Sequence, residues 1–224
     1  MGLQSCATEG AFVPLQPLFL VEEITHRVLN EYAEAISALA VAARAAPDAR
    51  TEVTLRAAAT RLRAQAEAHR ALQSPAAAGL MDLGDYLVEL CASLSKAQLS
   101  QNGVRLMVSA DEVWLDADRC WRVGLIVAEL IRNAARHGFA GGPGSIRVET
   151  TEAAGKISCR VRDDGRGGAL GEGGRGSRLV QALANELRGA VDWDFTPAGC
   201  CARLDFARPI DCVWIGRQPH SEEI

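Results

Sequence analysis

The sequence has 224 residues, of which 48% are hydrophobic and 23% charged, and its formal net charge is −4 at pH 7. This composition is typical of a globular protein with room for two small domains. The negative balance and the lack of a long basic run argue against a nucleic-acid partner. No apolar stretch approaches the roughly 20 residues that span a bilayer. Because a signal peptide is also missing, the expected location is the cytoplasm.

The seven cysteines are scattered along the chain, and no C-x-x-C pair occurs among them. This spacing fits neither a zinc site nor the cysteine framework of a small secreted domain. We therefore expect reduced thiols, most of them buried.

The N-terminal part of the chain is predicted to be helical after a short lead. Residues 1–17 carry Gly and Pro without a period and are expected to form a flexible lead. From Leu18 the apolar residues recur in steps of three and four, which predicts a long helix with one packing seam. The seam is predicted to contain Leu18, Val21, Thr25, Val28, Tyr32, Ala35, Leu39 and Ala42. Pro47 cannot continue the helical hydrogen bonds, so this helix ends before it.

A second helix is predicted over residues 50–73, and Pro75 follows its end. Its apolar side contains Leu55, Ala59, Leu62, Ala66, His69 and Leu72. In that position His69 is interpreted as a packing residue. The hairpin of residues 18–75 cannot bury both apolar faces alone, so we expect a homodimer that forms a four-helix bundle. The alternative is a hairpin that folds onto the second domain of its own chain.

Residues 80–209 are predicted to form a second domain of interleaved helices and strands. The predicted helices span 83–101, 118–138 and 176–188, and the predicted strands span 103–108, 145–150, 156–162, 191–195 and 202–206. This order predicts a two-layer α/β sandwich with a mixed, largely antiparallel sheet. The fold class is therefore α+β, a helical hairpin followed by a sandwich. Residues 210–224 form a C-terminal tail without an assigned role.

Polar side chains interrupt the apolar pattern of the helix at 118–138. One face of this helix, at positions i, i+4, i+7 and i+8, carries Glu129, Asn133, Arg136 and His137. A carboxylate and an amide oxygen one turn apart can hold a hard cation such as Mg²⁺, and the Arg and His can meet anionic oxygens. Taken alone, this stripe could also be the solvated face of an amphipathic helix.

Two glycine-containing loops follow that helix. Asp163 ends a predicted strand beside Gly165 and Gly167, where the backbone can approach a ligand and the carboxylate can accept from an exocyclic amine. The second loop runs through Gly174 and Gly176 into a helix, whose unpaired N–H groups form a seat for phosphate. Each loop alone could be an ordinary turn. With the polar helix they predict a pocket for a nucleotide triphosphate and its metal.

These motifs carry a family resemblance. In order and spacing they resemble the N, G1 and G2 boxes of the GHKL ATPase fold of sensor histidine kinases, through Glu129-x-x-x-Asn133-Ala134-x-x-His137, Asp163-x-Gly165-x-Gly167 and Gly174-x-Gly176. Upstream, residues 22–30, EEITHRVLN, are similar to the phosphoacceptor box of the HisKA_2 type, which reads E-[IL]-x-H-R-V-x-N. The resemblance covers residues 18–207.

The resemblance implies a cytoplasmic, homodimeric, ATP- and Mg²⁺-dependent protein-histidine kinase of a two-component system. His26 would be the phosphorylated side chain, with Arg27 available to the transferred phosphoryl group. Glu129 would orient or deprotonate the attacking imidazole or help hold the cation, Asn133 would be the Mg²⁺ ligand, and Asp163 would accept from the adenine amino group. The remaining nucleotide contacts would come from Arg136, His137, Gly165, Gly167, Gly174 and Gly176. The partner would be the receiver domain of a response regulator, which accepts the phosphoryl group on an aspartate.

Two other functions stay open. In one, the same dimer is a histidine phosphotransferase or scaffold, in which His26 receives phosphate from a receiver and the ATP site is idle. Ala128, where the family commonly has an additional Asn, and the missing sensor domain favour it, whereas the retained Glu129, Asn133 and Asp163 favour the kinase. In the other, the chain is a serine kinase acting on an anti-sigma-type partner, which has no need of the hairpin.

Overall fold

The computed structural model describes residues 17–74, 79–139, 142–166 and 175–209, with side chains from residue 27 onward in the first helix and from 176 in the last. The helices in these ranges are α1 Pro17–Arg44, α2 Ala49–Ala71, α3 Leu83–Leu94, α4 Ala117–Asn133 and α5 Arg175–Glu186. Turns of π and 3₁₀ helix extend α3 over Ser95–Leu99 and Ser100–Asn102, and a π-helical turn extends α4 over Ala134–Gly138. Within the part of the chain that the structure describes, no helix combines the length and apolar character that a membrane crossing requires.

The strands form one main sheet and one small one. They are β1 Leu80–Asp82, β2 Val104–Ala110, β3 Trp114–Asp116, β4 Gly144–Ala153, β5 Lys156–Asp163, β6 Ala190–Thr196 and β7 Gly199–Ala207. The main sheet has the order β2-β4-β5-β7-β6, with β2 parallel to β4 and the other neighbouring pairs antiparallel. The predicted mixed, largely antiparallel sheet is therefore confirmed. The pairing of β1 with β3 was not predicted, because three-residue strands carry too short a pattern.

The core lies between the main sheet and helices α3, α4 and α5. The sheet contributes alternate residues of each strand, among them Ile146, Val148, Ile157 and Leu204, all 0% exposed. The helices contribute fully buried residues that include Leu87, Ile126 and Val180. Because one face of each helix meets one face of the sheet, the two-layer α+β sandwich is confirmed.

Aspartate side chains set the starts of three helices. Each accepts a hydrogen bond from the backbone N–H three residues on, which satisfies one of the donors that a helix start leaves unpaired. The bonds are Thr51 N to Asp48 at 2.8 Å, Asp85 N to Asp82 at 2.8 Å and Arg119 N to Asp116 at 2.9 Å. The last of these fixes the beginning of α4, the helix that carries the predicted site.

Part of the predicted α1 seam is exposed in the single chain. Ala35 and Ala42 were predicted to lie in the seam but are exposed, whereas Ala43 is 3% exposed. In the chain described here α1 packs against a single helix, so its buried stripe is narrow and its position is set by α2. On α2 the prediction is confirmed, since Ala59 and Ala66 are buried.

The C-terminal half of α2 packs against the second domain of the same chain. Ala68 is 2% exposed and joins the main core. Side chains also bond to backbone carbonyls across this contact, from Gln65 Nε2 to Ala97 O at 2.9 Å, from Tyr86 Oη to Ala71 O at 3.4 Å and from Trp121 Nε1 to Leu72 O at 2.9 Å. This contact corresponds to the alternative in which the hairpin folds onto its own second domain. It fixes the end of α2 beside α4.

We expect Trp121→Phe to loosen this contact. The substitution keeps an aromatic ring but removes the donor to Leu72 O, and an unpaired partly buried carbonyl costs about 1 kcal/mol. Thermal unfolding should shift down by about 2–4 °C for a chain of this size. Trp114→Phe is the matched control, because its Nε1 bonds to the exposed side chain of Glu112. Equal melting temperatures for the two variants would contradict a role of Trp121 in docking the hairpin.

Three cysteines lie buried in the core as free thiols, namely Cys91, Cys120 and Cys159. Burial, with a smaller contribution from nearby Cys159, raises the pKa of the Cys91 thiol to about 12. Burial likewise raises the pKa of Cys159 to about 11. These thiols therefore stay protonated and unreactive at neutral pH, which agrees with the prediction of reduced, buried cysteines.

Candidate nucleotide site

The polar face of α4 opens into a cleft of about 560 Å³. The cleft is lined by Gln98, Asn102, Glu129, Arg132, Asn133, Ala135 and Arg136. The structure thus brings Glu129, Asn133 and Arg136 together, as their spacing predicted, while the opposite face of α4 packs into the core. His137 is exposed and is not among the lining residues.

Four lining residues, Gln98, Asn102, Arg132 and Ala135, were not predicted. Gln98 and Asn102 lie in the π and 3₁₀ turns that follow α3, and the tertiary fold brings these turns against α4. Their local sequence contains no signal of that contact. Arg132 lies three residues after Glu129, which is an ion-pair spacing on a helix and could have identified it.

The Glu129 carboxylate is held between two neighbours. Its Oε2 forms an ion pair with Arg132 Nη2 at 2.8 Å, and its side chain is 16% exposed. Its Oε1 lies against the first turn of α5, because a Cβ added at Gly176 would be 2.0 Å from that oxygen. Only a glycine at position 176 leaves room for the carboxylate. The predicted residues Glu129 and Gly176 are therefore in contact.

Asp163 ends β5 and is 7% exposed. Its Oδ1 accepts from the backbone N–H groups of Gly165 at 3.0 Å and of Cys200 at 3.3 Å. Burial, and to a smaller extent the charge of Asp163, raises the pKa of the Cys200 thiol to about 11. Among the described residues none bonds to Oδ2 of Asp163, so this oxygen can accept from a ligand.

Backbone from three segments surrounds Asp163. A Cβ added at Gly165 would lie 2.4 Å from the carbonyl oxygen of Gly138, which accepts from Arg166 N at 2.9 Å. Gly199 has a φ of +129°, and its Cβ would lie 1.9 Å from the carbonyl oxygen of Asp163. The importance of Gly138 and Gly199 was not predicted, because it arises from contacts between distant segments.

The neighbouring carboxylate, Asp164, has a different environment. It is exposed and accepts from Ser145 N at 2.7 Å and from Ser145 Oγ. These two bonds lower the pKa of Asp164 below its usual value. Asp164 therefore fastens the end of β5 to the start of β4, whereas Asp163 turns inward.

The remaining predicted residues are placed only in part. Gly167 and Gly174 lie outside the described residues, and for His26 only the backbone in α1 is described. The rings of Tyr32 on α1 and His69 on α2 pack at a centroid distance of 5.5 Å. His26 precedes Tyr32 by six residues, or about 9 Å along the helix. Its backbone therefore lies at the end of the hairpin where α2 meets the second domain.

The α/β sandwich, the polar cleft on α4 and the glycine-lined Asp163 are the features that the motifs predicted for an ATP-binding domain joined to a helical hairpin. The family comparison agrees, since the model of the histidine kinase-like ATPase domain matches residues 92–205. The chain belongs to this family. A second model, described as histidine kinase, matches residues 23–98, which include most of the hairpin. The chain is therefore of the HisKA_2 histidine kinase type with a GHKL-type ATPase domain, as its motifs predicted.

Individual relatives are also histidine kinases. The chain is 27% identical over 133 residues to Blue-light-activated histidine kinase 2 of Erythrobacter litoralis (strain HTCC2594), a match that covers 56% of this chain and 38% of the relative. The chain thus spans less than half the length of this relative. The histidine kinase domain of the Erythrobacter litoralis EL346 blue-light activated histidine kinase has a similar fold, with a TM-score of 0.55 and 23% identity over 78% of this chain and 95% of that one. Acinetobacter baumannii histidine kinase AdeS has a TM-score of 0.50 and 17% identity, over 83% and 95%.

Proposed function

We propose that the protein is an ATP-dependent histidine kinase of a two-component system, which phosphorylates His26 and passes the phosphoryl group to an aspartate of a response regulator. The observation that carries this proposal is the union of two parts in one chain. Residues 23–98 match the histidine kinase model and contain His26, and Glu129, Asn133 and Arg136 of the ATPase domain line one cleft. The backbone of His26 also lies at the end of the hairpin that contacts the ATPase domain.

The donor set of the cleft fits Mg²⁺. Asn133 offers an amide oxygen and Glu129 a carboxylate, and both line the same cleft as Arg136. Oxygen donors of this kind are what Mg²⁺ prefers. Asn133 would hold the ion, which when bound supplies positive charge to the phosphate oxygens. Glu129, which pairs with Arg132, would act on the imidazole proton instead. Arg136 would contribute a further cation to the same anionic end of the nucleotide.

The reaction is an in-line transfer that the protein supports mainly by positioning and by charge. A neutral imidazole nitrogen of His26 attacks the γ-phosphorus, the N–P bond forms, and the bond to the β–γ bridging oxygen breaks so that ADP leaves. Glu129 would take the imidazole proton, and Arg27 would face the transferred phosphoryl group. In the second step a carboxylate of the response regulator attacks phosphorus and the N–P bond breaks.

The position of Ala128 supports an active ATP site. Ala128 is 0% exposed, so it faces the core and not the cleft. An alanine at this position therefore removes no ligand from the cleft of this chain. This weakens the case for a phosphotransferase or scaffold with an idle nucleotide site.

The hairpin supports homodimer formation. Within residues 27–44 of α1 only Ala43 is buried, and near the turn Val41 and Val53 are 65% and 66% exposed. A second hairpin packed against this surface would remove it from water, as in a four-helix bundle.

We expect purified protein to incorporate label from γ-labelled ATP with Mg²⁺, and His26→Ala to abolish incorporation while ATP binding survives. The label should be acid-labile and alkali-stable, because the bond formed is N–P. Asn133→Ala should lose incorporation through its effect on the nucleotide site, and His220→Ala, in the C-terminal tail, is the control. Absence of label in the unsubstituted protein, combined with label from a phosphorylated receiver, would favour the phosphotransferase. Acid-stable label would contradict the proposal.

A further inference from the structure

Arg132 holds the carboxylate of Glu129 at the nucleotide cleft. Its Nη2 pairs with Oε2 of Glu129 at 2.8 Å, and the other oxygen of that carboxylate lies against Gly176 at the start of α5. Burial, and to a smaller extent the charge of Arg132, lowers the pKa of the His69 imidazole on α2.

The Arg132–Glu129 pair is poorly built for stability alone. The guanidinium is 38% exposed, and ion pairs with this much access to solvent are screened. In addition, Nε of Arg132 is buried and has no hydrogen-bond acceptor among the described residues. A buried donor without an acceptor is unfavourable and calls for another explanation. This combination favours a role in the reaction.

We propose that Arg132 is a positioning residue, which orients the Glu129 carboxylate for phosphoryl transfer. The proposal rests on the kinase function proposed above. The imidazole proton must leave His26 as the N–P bond forms, and Glu129 can take it only if its carboxylate is held towards the acceptor. Without Arg132 the carboxylate loses its fixed orientation, so transfer slows while ATP still binds.

The decisive experiment is a double-mutant cycle of Arg132→Gln and Glu129→Gln, measured as single-turnover phosphorylation with γ-labelled ATP. Arg132→Gln should slow transfer about 10- to 100-fold with unchanged ATP affinity. In the Glu129→Gln background it should cause no further loss, because its effect passes through Glu129. Arg132→Lys should restore part of the rate, since it keeps the charge without the planar fork. Arg119→Gln is the matched control, an α4 arginine that is 38% exposed and paired with Asp116 three residues away.

Additive losses in the cycle, or ATP affinity that falls along with the rate, would overturn the positioning role. If the unsubstituted protein incorporates no phosphate, the kinase function itself fails, whereas an active kinase with additive losses rejects only the role of Arg132.

Discussion

Replacing Asp163 with asparagine is expected to weaken ATP binding about 10- to 100-fold while the fold persists. Oδ1 of Asp163 accepts from Gly165 N and Cys200 N, and the amide oxygen of asparagine can accept the same two bonds. At the position of Oδ2, the substitution replaces a carboxylate oxygen, which accepts hydrogen bonds, with an amide N–H₂ group, which donates them. It would then face the donor amino group of adenine, so an attractive contact becomes a repulsive one.

Calorimetric titration with ATP measures this effect, and Asp164→Asn provides the control. Asp164 carries the same charge one residue on but bonds to Ser145 and is exposed. Its substitution should leave ATP affinity unchanged and lower stability slightly. An Asp163→Asn protein that binds ATP normally would contradict the assignment of Asp163 to the adenine amino group.

Gly199→Ala is expected to destabilise the protein by about 3 kcal/mol or more. A φ of +129° is a conformation that costs side-chain-bearing residues about 1–3 kcal/mol, and the new Cβ would lie 1.9 Å from the carbonyl oxygen of Asp163. Because that neighbour is backbone in the centre of the sheet, it cannot move aside without disturbing β5. Nucleotide binding should be lost together with stability.

The melting temperature of Gly199→Ala should be roughly 6–12 °C lower than that of the unsubstituted protein. Gly155→Ala separates the two causes, because Gly155 also has a positive φ, of +72°, but nothing lies within 4 Å of an added Cβ. We expect Gly155→Ala to lower the free energy of unfolding by only about 1–2 kcal/mol, which is what the left-handed conformation costs a residue with a side chain. If both variants lose the same stability, close packing against Asp163 is not the reason for the glycine.

Features encoded by local pattern were predictable from the sequence. Pro47 and the aspartate caps mark where helices stop and start, and alternation in β4 and β5 gives the faces that are buried. The i, i+4 and i+7 spacing places Glu129, Asn133 and Arg136 on one face of α4, whatever the rest of the chain does. These residues line the cleft for that reason.

Features that depend on which segments meet were not predictable in this way. Gln98 enters the cleft because the turn after α3 packs beside α4, and glycine is required at position 199 because the start of β7 packs against the backbone of Asp163. Which residues of α1 are buried depends on the helices that pack against it, so Ala35 and Ala42 of the predicted seam are exposed in the single chain. Such contacts arise from tertiary structure and leave no period in a single sequence.

Asp163 lies on the central strand of the main sheet, and this position limits local opening of its backbone. β5 has β4 on one side and β7 on the other, so its hydrogen bonds are protected on both edges. Amide protons of β5 should exchange with solvent only when the whole domain unfolds, whereas the start of α5, which touches Glu129 at the rim of the sandwich, can open locally. The end of the predicted site that contains Asp163 should therefore exchange slowly, and the end at α5 should exchange faster.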